Sequence, residues 1–137
     1  MLATTTDGSL SHLIGAMGGD AQPQILQQIL ARMLHARQDP ATAVAGARVS
    51  LVAPSAGPFR LWWGADLQIC VERHAPPEWI DGLTGRGHRV IPIAAFEPNA
   101  VGGAQIISVA RDEAEDGAGH FVGAADPRSP CGGTASR

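Results

Sequence analysis

Apolar residues recur at helical spacing over one stretch of the chain and alternate with polar residues over several others. Ile25, Leu26, Ile29, Leu30, Met33 and Leu34 form a single stripe, which predicts an amphipathic helix from about Ala21 to Arg37. Asp20 is placed to cap its start and Pro23 fits its first turn. Arg32, His35 and Arg37 gather at its end, where positive charge suits the helix dipole. Upstream, Ala3–Thr6 and Leu10–Gly15 flank Asp7-Gly8, a pattern that predicts a hairpin. Downstream, strands are expected at 48–52, 59–63, 67–73, 88–93, 103–110 and 120–123. Short helices are expected at 41–45, after Asp39-Pro40, and from Pro76-Pro77 to Gly85 or Gly87. Residues 94–102 read as a loop and 111–118 as an acidic turn. This order predicts an α+β fold in which one sheet carries helices on one face and buries the Ile25–Leu34 stripe.

Composition narrows the function classes. The 137 residues suffice for one domain, expected over 1–128, with a loose Gly/Ser/Pro-rich tail over 129–137. A net charge of −3 without a basic cluster argues against nucleic acid as a partner. No apolar run is long enough to span a bilayer and no export signal precedes the hairpin, so a soluble chain, cytoplasmic or periplasmic, is expected. Lysine and tyrosine are absent while alanine, glycine and arginine abound, a bias that fits a G+C-rich bacterial source.

Few side chains are spaced for chemistry. His12, His35, His74, His88 and His120 lack metal-ligand spacing, and no metal or cofactor is expected. His12 alternates with apolar neighbours and reads as a hydrogen-bonded structural residue. Cys70 sits in an apolar run as a small buried hydrophobe, and a bond from it to Cys131 is not expected. No serine stands in a Gly-x-Ser-x-Gly turn. Asp112, Glu113, Glu115 and Asp116 read as a solvated tip, and Trp62 and Trp63 should face opposite sides of a strand. Asp126-Pro127-Arg128 reads as a structural clasp. The remaining feature is Gly18-Gly19, where a strand hands over to the main helix. Residues without side chains there let backbone N–H groups approach an anion closely, or serve only a tight turn.

Five segments resemble one family in order along the chain. Met17-Gly18-Gly19-Asp20-Ala21-Gln22-Pro23-Gln24 resembles the glycine-pair segment of the γ-glutamyltransferases. Asp39-Pro40-Ala41-Thr42-Ala43-Val44, Arg86-Gly87-His88-Arg89-Val90, Gly102-Gly103-Ala104-Gln105-Ile106-Ile107 and Gly123-Ala124-Ala125-Asp126-Pro127-Arg128-Ser129 resemble its later motifs. The resemblance implies part of an αββα N-terminal-nucleophile hydrolase sandwich. It implies an acyltransferase or amide hydrolase in which an N-terminal threonine attacks a γ-glutamyl carbonyl, with Gly18 and Gly19 supplying the oxyanion hole. It implies as partners a γ-glutamyl compound, such as glutathione or a related amide, and a large-subunit-like polypeptide. Thr4, Thr5 and Thr6 do not match the nucleophile segment, so the chain reads as the C-terminal portion of the small subunit, inactive alone. Ala45-Gly46-Ala47-Arg48-Val49 lacks the family's proline, and Ala125 replaces its serine. The alternatives are a non-catalytic, stand-alone or self-associating carboxylate-binding module, or an inactive remnant of the same fold. The catalytic reading requires the two amides to be unbonded within the chain and to face a cleft.

Overall fold

The expected hairpin opens the molecule: β1 (Leu2–Thr4) pairs antiparallel with β2 (Leu10–Met17), Leu2 facing Leu13. Gly8, at φ 85°, makes the turn, and the Asp7 carboxylate accepts from the Ser9 amide at 2.9 Å and from the Thr5 hydroxyl. A computed structural model describes residues 1–53, 66–111 and 119–129. After the hairpin come a 3₁₀ turn (Gly19–Ala21), α1 (Gln22–Leu34), α2 (Pro40–Ala45) and β3 (Val49–Val52). Then follow β4 (Gln68–Glu72), α3 (Pro77–Gly85), β5 (Val90–Ile93), α4 (Pro98–Val101), β6 (Gly103–Arg111) and β7 (Gly119–Ala125).

The fold is α+β, with the described strands divided between two sheets where the sequence reading grouped them in one. One sheet has the order β1-β2-β6-β7 and is antiparallel throughout; the other has the order β3-β4-β5. In the smaller sheet β4 and β5 run parallel, and α3 supplies the crossover that a parallel pair requires. The outer edge of β3 is closed by α1 instead of by another strand. Gln28 donates to the Val49 carbonyl and accepts from the Val49 amide, both at 2.9 Å, and Gln24 accepts from the Leu51 amide at 2.8 Å. These two side chains, one helical turn apart, occupy the hydrogen-bonding groups that a further strand would use.

The main core lies between α1, α2 and one face of the larger sheet. Ile25, Ile29 and Met33 of the stripe are buried against Ile14, Ala104, Ile106 and Ala124. Full burial of each isoleucine contributes roughly 1.5–3 kcal/mol. Leu26 and Leu30 pack at the margin, and Leu34 is half exposed. A smaller cluster joins Val71 and Ala75 to Trp79, Ile80 and Leu83 of α3.

Three details differ from expectation. Ala21, not Asp20, is the N-cap of α1 and no side chain caps it, because the glycines carry the chain through a 3₁₀ turn first. The helix ends at Leu34, and Arg37, at φ 54°, turns the chain toward α2. Asp39 does cap α2, accepting from the Thr42 amide at 3.0 Å. Residues 98–101 form a short helix with Pro98 in its first turn and the Glu97 side chain accepting from the Asn99 amide, a cap not foreseen inside the expected loop. The expected strand at 59–63 with Trp62 and Trp63, the acidic residues at 112–116, the Cys131 thiol and the tail from residue 130 lie outside the described residues. No described helix is long and apolar enough to cross a membrane.

Candidate functional site

β2 delivers Gly18 and Gly19 to the end of the larger sheet. Gly18 is buried and extended, at φ 163°, and Gly19 is exposed in the left-handed region, at φ 53°. The Gly18 carbonyl accepts from the Ala21 amide at 2.9 Å, closing the 3₁₀ turn. Along β2 the even-numbered residues direct their backbone groups toward β1, as in the Ile14 amide bond to the Met1 carbonyl at 2.9 Å. The Gly18 N–H lies one residue beyond the end of β2. Neither it nor the Gly19 N–H meets an acceptor among the described residues. These are two adjacent donors at the approach to a helix, where negative charge is favoured.

A cleft of about 330 Å³ lies beside them, lined by Gly15, Ala16 and Met17 of β2, Gly103, Ala104 and Gln105 of β6, and Ser129. It occupies the sheet face opposite α1, at the end where β2 meets the glycine pair. Neither glycine lines it; Met17, the residue before them, does. So the two amides are unbonded among the described residues, and the cleft stops one residue short of them.

Beneath the pair, Gly102 makes a close approach. At φ 60°, a Cβ on Gly102 would fall on the Met17 carbonyl oxygen and stand 2.7 Å from Ile25 Cδ1. A Cβ on Gly18 would stand 2.9 Å from the same Ile25 atom and 3.6 Å from Gly102 Cα. Backbone thus packs directly on backbone at this junction.

The Asp126-Pro127-Arg128 clasp is part of a larger buried ion network. Asp126 Oδ2 lies 2.6 Å from Arg48 Nη2 and accepts from the Ala104 amide at 2.8 Å. Asp126 Oδ1 accepts from Arg128 Nη1 at 2.9 Å and from the Arg128 amide at 3.0 Å. Arg128 forks onto Glu72 through Nε (2.9 Å) and Nη2, and Glu72 Oε2 also accepts from the Arg48 amide at 2.7 Å. The guanidinium groups further donate to the carbonyls of Val44 (from both, at 3.0 and 3.1 Å) and Gly46 (3.0 Å). The Arg128 guanidinium lies over Phe96, 5.3 Å from the ring centre, and the His74 ring is tilted against Phe96 with centroids 4.6 Å apart. All four ionic side chains are fully buried, which is tolerated only when charges are paired and lone pairs used. Burial, with repulsion from Arg128, still pulls Arg48 down to about 10, against the attraction of Asp126 and Glu72.

Arg48 and Glu72 escaped the sequence reading. The signal was there: Arg48 immediately precedes β3 and Glu72 ends β4, charges at the ends of mostly apolar runs, a placement that calls for a partner elsewhere. His12 is hydrogen-bonded as expected, its Nδ1 2.8 Å from Ser108 Oγ on the paired strand. Cys70 is buried in β4, and burial pushes its thiol up. Among the described residues, no three His, Cys, Asp or Glu side chains cluster as metal ligands would.

The family model for gamma-glutamyltranspeptidase matches residues 1–136. Among solved structures, the fold is similar to a mutant gamma-glutamyltranspeptidase of Helicobacter pylori (TM-score 0.71, 17% identity, covering 94% of this chain and 59% of that one). It is similar to a highly active mutant of the enzyme from Pseudomonas nitroreducens (TM-score 0.70, 22% identity, 100% and 60%). It is also similar to a cephalosporin acylase of Bacillus halodurans (TM-score 0.68, 25% identity, 91% and 20%). The chain thus spans 59–60% of the two transpeptidase chains. No curated protein matches the sequence significantly.

Proposed function

Because this chain belongs to the gamma-glutamyltranspeptidase family, we propose that it is the C-terminal portion of a γ-glutamyltransferase-like acyltransferase or amide hydrolase. In this reading residues 1–128 contribute the Gly18-Gly19 oxyanion segment, and the threonine nucleophile comes from a polypeptide segment outside this chain. The observation that carries the reading is a pair of amides, at a strand-to-helix junction, that meet no acceptor among the described residues.

The chemistry is acyl transfer. A hydroxyl nucleophile adds to the γ-glutamyl carbonyl, whose oxygen takes on negative charge. Two preorganised N–H groups stabilise that charge more than they stabilise the neutral carbonyl, which lowers the barrier. Collapse of the intermediate expels the amine and leaves an acyl-enzyme, which water or an acceptor amine resolves. In this assembly the cleft beside Met17 is completed by a large-subunit-like polypeptide, which brings the missing wall next to the glycines. The substrate class is a γ-glutamyl compound such as glutathione or a related amide.

Reconstitution tests this. The chain alone is expected to release no chromophore from a γ-glutamyl anilide. Joined to the nucleophile-bearing segment and large subunit of a family member, it should release it. Gly19→Ala, which strains the left-handed residue and tilts its amide, should then lower kcat about 100-fold with KM little changed, the cost of about 3 kcal/mol for one lost oxyanion donor. A reconstituted Gly19→Ala enzyme with undiminished kcat removes the glycine pair from the mechanism. Heat on titrating the chain alone with glutamate would favour the carboxylate-binding alternative.

A further inference from the structure

The buried ion network reaches from Arg128 to Val44 in α2, 84 residues away in sequence, and three of its bonds end on the backbone beside the glycine pair. Asp126 Oδ2 holds the Ala104 amide at 2.8 Å, and Arg48 Nη1 reaches the carbonyls of Val101 and Gly102 at 3.4 and 3.5 Å. Arg48 and Asp126 are themselves joined at 2.6 Å, so the carbonyl of Gly102 and the amide of Ala104 are gripped by one ion pair. At the first of these anchors, Gly102 sits against the Met17 carbonyl and close to Gly18. Its φ of 60° follows a helix of only four residues, α4, which could not hold this geometry unaided.

We propose that Arg48 and Asp126 are positioning residues for the glycine pair: by fixing Gly102–Ala104 they set the direction in which the Gly18 and Gly19 amides point. The inference deepens the oxyanion reading above, but its physical content is the orientation of two peptide groups, which is measurable whether or not they take part in a reaction. Among the described residues neither N–H meets an acceptor, so their direction depends on the backbone around them. A peptide whose N–H is bonded within the protein is held by that bond; here the Gly18–Gly19 peptide is held on its carbonyl side by the Ala21 amide, and the Met17–Gly18 peptide rests on Gly102. A buried ion pair suits the task because its geometry is directional, whereas apolar packing alone tolerates sliding.

The test uses nitrogen relaxation and amide shifts of the whole chain. In Asp126→Asn, which keeps the shape and removes the charge, the Gly18 and Gly19 amides should shift. Their order parameters should fall from about 0.85 toward 0.6 or below. The amides of Ile29 and Leu30 in α1 should keep their values. Should Asp126→Asn fail to fold, Gly102→Ala leaves the ion pair intact and displaces the same backbone, and the same two amides should respond. Arg48→Lys, which keeps the charge but not the fork, is expected to reproduce the Asp126→Asn signature in weaker form. A folded variant in which Gly18 and Gly19 are unchanged, or in which every amide loosens equally, overturns the proposal. Loss of kcat on Gly19→Ala in the reconstituted enzyme is a separate outcome, so the positioning role and the oxyanion role stand or fall independently.

Discussion

His12 and Ser108 face each other across β2 and β6, and that pairing sets a pH dependence. A neutral imidazole can share a proton with the hydroxyl in either direction; a protonated ring can only donate. Burial lowers the His12 pKa below its ordinary 6.5. The unfolded chain therefore takes up a proton that the folded chain resists, and stability falls as pH drops below 6.5. The urea midpoint of the native sequence is expected to decline between pH 7.5 and 5 more than that of His12→Gln, which cannot titrate there. Equal declines would show that His12 contributes nothing. Its structural role was legible from alternation with apolar neighbours, while its partner, 96 residues away, was not.

At the scale of elements, α1 does two jobs with two faces. Ile25, Ile29 and Met33 fill the core, and Gln24 and Gln28 close the edge of β3. Gln28→Ala leaves the Val49 amide and carbonyl without partners in a half-buried place. We expect a loss of about 1–3 kcal/mol, read from urea denaturation, with Gln28→Glu losing the donor and also destabilising. An exposed substitution on the same helix, Gln27→Ala, should be close to neutral. The helical stripe was legible because burial repeats every turn. The glutamine role was not, because two polar residues on a helix flank read as solvated until a strand edge is placed against them. The same holds for the two-sheet arrangement: strand-forming residues announce strands, but their partners depend on crossovers such as α3.

For the whole molecule, no described helix covers the face of the larger sheet opposite α1. It presents Leu2, Leu13, Met17, Ile107 and Phe121, with Met17 and Phe121 68% and 64% exposed, and no charged side chain among those described on that face. A contiguous apolar face of this kind is what a sandwich covers with a second sheet. Without that cover the chain is expected to self-associate. Its weight-average mass in sedimentation should rise with concentration, and Met17→Asp with Phe121→Asp should hold it monomeric. A native chain that stays monomeric at high concentration contradicts this. Here the strands' alternation already implied two faces, but only the assembled sheet shows that α1 and α2 cover one and leave the other.

Taken by themselves, the residues determined the hairpin, the main helix, the glycine junction, the α+β class and the clasp at Asp126-Pro127-Arg128. Each of these is local: its cause is a periodicity, a turn residue or a pair of charges within a few positions. Only the tertiary structure decided that Arg48 and Glu72 complete the clasp, that glutamines close β3, and that Gly102 lies beneath Gly18. Those contacts join segments from 21 to 84 positions apart. A sequence read in order carries the need for a partner in such cases, as a buried charge does, but the identity of the partner is fixed only by packing.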